Sequence, residues 1–139
     1  MLELNAIYDL GQVQFSEDEI IQFAKKYDPL EFHTNKKAAA EHMFGKLVAS
    51  GPHPFNYFYV NSWIPKFGKS VLCGLGVNNW RFIKPVYANS VLNCKVRIFS
   101  LEKDLSRHSA KVGWVFVFTG KDGERVQFLE MLVLHKIIE

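Results

Sequence analysis

The sequence predicts an α+β fold, an antiparallel sheet curled around one helix. Three observations predict it. Residues 52–64, PHPFNYFYVNSWI, are almost entirely apolar or aromatic, the pattern of a helix buried on most faces. Four strand-like runs follow, over 70–82, 90–103, 109–120 and 125–137. The last two are joined by Lys121-Asp122-Gly123-Glu124, a hairpin signal in which glycine can take positive φ. The 139 residues are 48% hydrophobic and include 12 Phe, enough for a compact core and too much for a disordered chain.

The elements follow in order. Residues 4–14 read as a short strand around Ile7 and Val13. Ser16 and Glu19 form a capping box, and Ile20, Ile21, Phe23, Ala24 and Tyr27 continue at helical spacing. Pro29 ends that helix, because it disfavours helical geometry in the residue before it. Residues 28–35, DPLEFHTN, read as a loop, and Asn35 caps a short helix KKAAAEH that Gly45 stops. Pro52 and Pro54 suit the first turn of the apolar helix, and Pro65 and Gly68 are expected to end it. In the second long strand Leu92, Cys94, Val96 and Ile98 share one face; in the third, Val112, Trp114, Phe116 and Phe118 do. No repeat or linker interrupts the chain, so 1–139 reads as a single domain. Several strand faces are apolar on both sides, more than one helix can cover. A second subunit, as in a homodimer, is the expected cover.

Composition excludes several classes. The net charge of +3 is mild and has no basic run, which argues against nucleic acid. It suits an anionic ligand, and equally suits none. Cys73 and Cys94 form no CxxC pair and sit in strand-like runs, so they read as reduced small hydrophobes in a reducing compartment. The first residues lack a basic-then-apolar signal, and no stretch approaches the roughly 20 apolar residues of a membrane span. A cytoplasmic protein without membrane insertion is expected. His42, His53, His108 and His135 show no ligand spacing, so no metal is expected.

The stretch from Ser16 to His53 carries the candidate chemistry. Asp28 and His33 lie five residues apart beside the stiffening Pro29. Both are general acid/base types, and sharing a water they could polarise it and shuttle its proton. Gly51 precedes the apolar helix, where its amide could donate to a developing oxyanion, and Ser50 stands beside it. An enolate formed from a thioester needs such parts. The plain alternatives are a helix stop at Asp-Pro and a solvated loop histidine.

The run FAKKYDPLEFHTNKKAAAEHMFGKLVASGPH resembles the signature of the MaoC-like (R)-specific enoyl-CoA hydratases and related dehydratases. Asp28, His33, the alanines 38–40, Phe44-Gly45 and Ser50-Gly51 fall in its register, and Trp80-Arg81-Phe82-Ile83-Lys84-Pro85-Val86 resembles the family segment before the second long strand. The resemblance implies a hotdog fold, dimers or pseudo-dimers, and reversible hydration of 2-enoyl thioesters to (3R)-hydroxyacyl thioesters, a reaction of fatty acid metabolism. It implies that Asp28 and His33 hold and activate water, that the Gly51 amide binds the thioester oxygen, and that Ser50 orders the dyad or its loop. No cofactor is implied, coenzyme A or acyl carrier protein being part of the substrate. The sequence departs from many hydratases in placing Pro29, Leu30, Glu31 and Phe32 between the acid and the histidine, without their Asn-Pro. A non-catalytic module that binds an acyl thioester or a partner subunit is the alternative.

Other candidates are weaker. A serine hydrolase lacks its Gly-x-Ser-x-Gly elbow around Ser50. Hotdog enzymes with a carboxylate on the central helix are disfavoured, since 52–64 contains no Asp or Glu. His53 could line the entrance, Tyr57 an acyl tunnel, and Trp80 and Phe82 the thioester; helix-end solvation and core packing are the alternatives. Lys36, Lys37, Lys46, Arg81 and Lys84 could meet coenzyme A phosphates or an acidic carrier protein, or simply face water.

Overall fold

The computed structural model describes residues 1–137. One sheet of five antiparallel strands is built from β1 (Ile7–Val13), β2 (Val71–Phe82), β3 (Leu92–Asp104), β4 (Ser109–Gly120) and β5 (Arg125–Lys136), in the order β1-β3-β4-β5-β2. The four long strands lie within a residue or two of their expected bounds, and β1 is shorter than its 4–14 run. Gly123 takes φ +83° in the β4–β5 turn.

The alternations read from the sequence set the core. Leu92, Cys94, Val96 and Ile98 are buried, as are Val112, Trp114, Phe116 and Phe118. Against them lies the central helix: α4 (His53–Phe58), a π-helical turn (Tyr59–Trp63) and α5 (Ile64–Phe67). Trp63 meets Trp114 edge-on at 5.2 Å, and Phe55 meets Phe116 edge-on at 5.1 Å. Such pairs add about 0.5–1.5 kcal/mol beyond area burial.

Two expectations need correcting. Pro65 does not end the helix, which runs on to Phe67. The π-turn is the reason. There the Ile64 amide reaches back five residues to the Tyr59 carbonyl, and the Asn61 side-chain amide caps the Tyr57 carbonyl at 2.8 Å. Pro65 then falls in the first turn of α5, where no amide donor is required. Residues 28–35 are not wholly loop either: Glu31–Thr34 form one turn, α2, which turns His33 inward. The capping box of α1 (Glu17–Tyr27) is present, with Ser16 Oγ accepting from the Glu19 amide at 3.1 Å. Asn35 caps α3 (Lys36–Ala40), two residues shorter than expected, by accepting from the Ala38 amide.

The edge strand β2 differs from the rest. Its residues 72–79 are exposed throughout, Leu72, Leu75 and Val77 among them. Three register shifts against β5 interrupt its pairing. Cys73 is exposed there, unlike the buried Cys94, whose thiol pKa burial pushes up.

Candidate active site

The acid and the histidine are placed by adjacent short elements. Asp28 is the C-cap of α1, its amide donating to the Ala24 carbonyl at 2.8 Å. His33 lies two residues into α2 and is buried. The imidazole Nδ1 lies 2.7 Å from the Val48 carbonyl oxygen. A carbonyl only accepts, so Nδ1 carries the hydrogen, and in the neutral ring Nε2 carries the lone pair. That Nε2 stands 3.5 Å from Asp28 Oδ2. The separation is long for a direct hydrogen bond. Ser50, fully buried, donates its hydroxyl to the same Oδ2 at 2.6 Å. Asp28 Oδ1 accepts from no protein donor among the described residues.

Val48 and Ser50 are fixed from the opposite side. Val48 bridges Tyr87, and the Ala49 amide donates to the Val86 carbonyl at 2.8 Å. The chain then turns through Gly51 and Pro52 into α4. The Gly51 amide donates to no protein group among the described residues. The approach is close here: an added Cβ would meet the tip of the Phe82 ring at 2.6 Å, so that ring would have to move aside.

Asp28, His33, Ser50 and Gly51 share one cavity of about 390 Å³, within the range of ligand sites. Phe32, Phe44 and Val48 form part of its wall, and residues 82–86, with Lys84, the other part. Gln127 also lines it and was missed by the sequence reading. It is 2% exposed, and its Oε1 accepts from Trp80 Nε1 at 2.8 Å. Indole nitrogen only donates, so this bond fixes the amide orientation and leaves both N–H donors of Gln127 without a protein acceptor among the described residues. Only its place beside Phe82 across β2 and β5 could have marked it, and that register is not visible before the strands are paired.

Other candidates lie elsewhere. His53 is not at the entrance: it is buried between Phe15 at 4.1 Å and Phe23 at 4.2 Å, and burial pushes its pKa down to about 4. Tyr57 packs edge-on against Phe15 and Phe58, outside the cavity wall. Trp80 acts on the cavity only through Gln127, and Arg81 is exposed beside it. Lys36 pairs with Glu17 at 3.2 Å, Lys46 lies over the Tyr87 ring at 4.4 Å, and Lys37 and Glu31 are exposed. Of the five cations, Lys84 alone lines the cavity.

The family model for the MaoC like domain matches residues 6–115, a span that includes every one of these cavity groups except Gln127. The chain belongs to the MaoC-like domain family. A Bacillus subtilis (strain 168) protein, YdeM, described as uncharacterized, is 26% identical over 118 residues, which are 84% of this chain and 82% of that one. The crystal structure of a MaoC-like dehydratase from Rhodospirillum rubrum superposes with a TM-score of 0.85 at 24% identity, covering 99% of this chain and 95% of that chain. The (R)-hydratase from A. caviae involved in PHA biosynthesis superposes with a TM-score of 0.75 at 20% identity, covering 99% and 98%. The MaoC-like chain therefore has the hotdog fold, its five-stranded sheet wrapping the central helix. No helix among the described residues is long and apolar enough to cross a membrane.

Proposed function

We propose that this MaoC-like protein is a hydro-lyase that reversibly hydrates 2-enoyl thioesters to (3R)-hydroxyacyl thioesters. The observation that carries the reading is the convergence of Asp28, His33, Ser50 and the unpartnered Gly51 amide on one cavity. A water lodged against His33 Nε2 and the carboxylate of Asp28 contacts both, since the two stand too far apart to satisfy each other. In hydration the water oxygen bonds to C3 of the conjugated thioester and gives a proton to the dyad. The C2–C3 π electrons move toward the thioester carbonyl, and the enolate oxygen is held by the Gly51 amide. The dyad then returns a proton to C2, so its own protonation is unchanged over a turnover. The Val48 carbonyl keeps the imidazole in the tautomer that presents Nε2. Ser50 steadies the carboxylate. The two proton transfers are assigned to the pair jointly.

The carrier of the thioester is coenzyme A or acyl carrier protein, with Lys84 on the cavity wall as the cation placed for its phosphates. The working form is a homodimer, and the support is β2: an edge strand exposed over 72–79 is a template for a second copy. Leu75→Lys with Val77→Lys puts two charges on that strand; sedimentation then finds monomers where the unaltered chain sediments as a dimer at micromolar concentration.

The reaction is tested by loss of the conjugated-thioester absorbance with 2-enoyl-CoA substrates of short and medium chain. Asp28→Asn and His33→Ala each lower the rate by about a hundredfold or more, the scale of a lost general acid/base. Wild-type rates in both variants would remove the dyad. Saturable binding of acyl-CoA without turnover at any chain length would make the protein a binding module.

A further inference from the structure

A second cavity of about 500 Å³ opens at the other end of the central helix. The first takes residues 51 and 52, just before that helix; the second takes Lys66 to Ser70, just after it starts to end. Thirteen helical residues, 53–65, separate them, about 20 Å at 1.5 Å per residue, and they share no lining residue.

The walls are apolar, with Leu2, Phe67, Leu101 and Ile137 among them. Four lysines from four elements stand around the cavity: Lys66 on α5, Lys69 in the turn after it, Lys103 near the end of β3 and Lys136 at the end of β5. Among the described residues no Asp or Glu lines it, and none of the four lysines makes an ion pair. The negative end of the helix dipole accounts for Lys66 and Lys69. It does not account for Lys103 and Lys136, which come from strands.

The floor is neutral. Trp114 Nε1 donates to His135 Nε2 at 3.1 Å, so His135 carries its hydrogen on Nδ1 and donates it to Ser70 Oγ at 2.8 Å. Both ring nitrogens are occupied, and burial pushes the His135 pKa down to about 4. Among the described lining residues the charge of the cavity is therefore that of its lysines and of the Met1 amino group.

We propose that this cavity binds a single-chain amphipathic carboxylate, such as a medium-chain fatty acid, with its carboxylate among the lysines and its chain along the apolar walls. The site is separate from the dyad, and its ligand is not the thioester that reacts there.

The test is an NMR titration of the full chain with hexanoate, octanoate and decanoate, with octanol and octyltrimethylammonium as neutral and cationic controls. Saturable shifts are expected at the Ala110 and Ile137 amides and not at Gly51. Affinity rises roughly tenfold for each two methylenes added, as their burial requires. Octanol and the cation bind at least about tenfold more weakly than octanoate, because they forgo the lysine charges. Lys103→Glu with Lys136→Glu weakens octanoate at least about tenfold, as does Lys66→Glu with Lys69→Glu, while Asp28→Asn leaves it unchanged. All four lysines are exposed, so both double variants keep the fold, which the melting temperature checks. Absence of saturable shifts, shifts centred on Gly51, equal affinity for octanol, or undiminished binding in both double variants would overturn the proposal.

Discussion

Two of the protein's three buried histidines, His33 and His135, lie at opposite ends of its central helix, and their surroundings differ in kind. His33 and His135 are each almost inaccessible, and each has Nδ1 hydrogen-bonded. At His135 the second nitrogen is taken by an indole, which leaves the ring no vacant atom. At His33 the second nitrogen faces a carboxylate across 3.5 Å and a shared cavity. Burial therefore does not distinguish the imidazole proposed to react from the structural one. What distinguishes them is the atom left without a short bond.

That contrast can be broken in order of expected effect. The largest effect is on rate: His33→Ala costs about a hundredfold or more, whereas His135→Gln keeps the rate per folded molecule and loses about 1–3 kcal/mol of stability from its orphaned partners. Enoyl-CoA kinetics and urea unfolding on the same two variants read both; a rate loss on His135→Gln would erase the distinction. Next is Ser50→Ala. It removes one short bond to the carboxylate and costs about tenfold in rate, with the hydratase assay as readout. A larger loss than from His33→Ala would move Ser50 into the chemistry itself.

The last effect is on pH dependence and is read in stability alone. His135 and His53 have folded pKa values of about 4, below the ordinary histidine value of 6.5. Between those values the unfolded chain binds the protons, so stability is present above about pH 6.5 and falls as pH drops toward 4. Each histidine adds a slope of up to about 1.4 kcal/mol per pH unit in that window. Melting scans from pH 4 to 7 should show it, and His53→Phe should flatten the curve by about one proton. An unchanged slope in that variant would show that His53 does not titrate on unfolding.

Much of this was legible in the sequence, for physical reasons particular to each element. The alternation of Val112, Trp114, Phe116 and Phe118 is a period-two pattern that only a half-buried strand satisfies, and all four are buried. The Ser16–Glu19 box is local in sequence and forms as local chemistry dictates. The pairing of Asp28 with His33 was expected from the family resemblance, the five-residue spacing alone being a weak signal, and the two side chains stand 3.5 Å apart. The helix end at Pro65 was misread because proline is tolerated when a π-turn opens just before it, and that turn is a product of packing. Gln127 was invisible for a different reason. In the strand RVQFLEMLVLHK it reads as one of several polar residues, and only the partner indole on β2 explains its burial.

The Val48 carbonyl that orients His33 belongs to a residue bridged to Tyr87, and the neighbouring Ala49 is tied to Val86. Residues 82–86 form the facing wall of the same cavity. Wall and imidazole are thus parts of one lever. On the proposed reaction, an acyl group pressed against residues 82–86 would bear, through Val86 and Tyr87, on the segment that carries the Val48 oxygen.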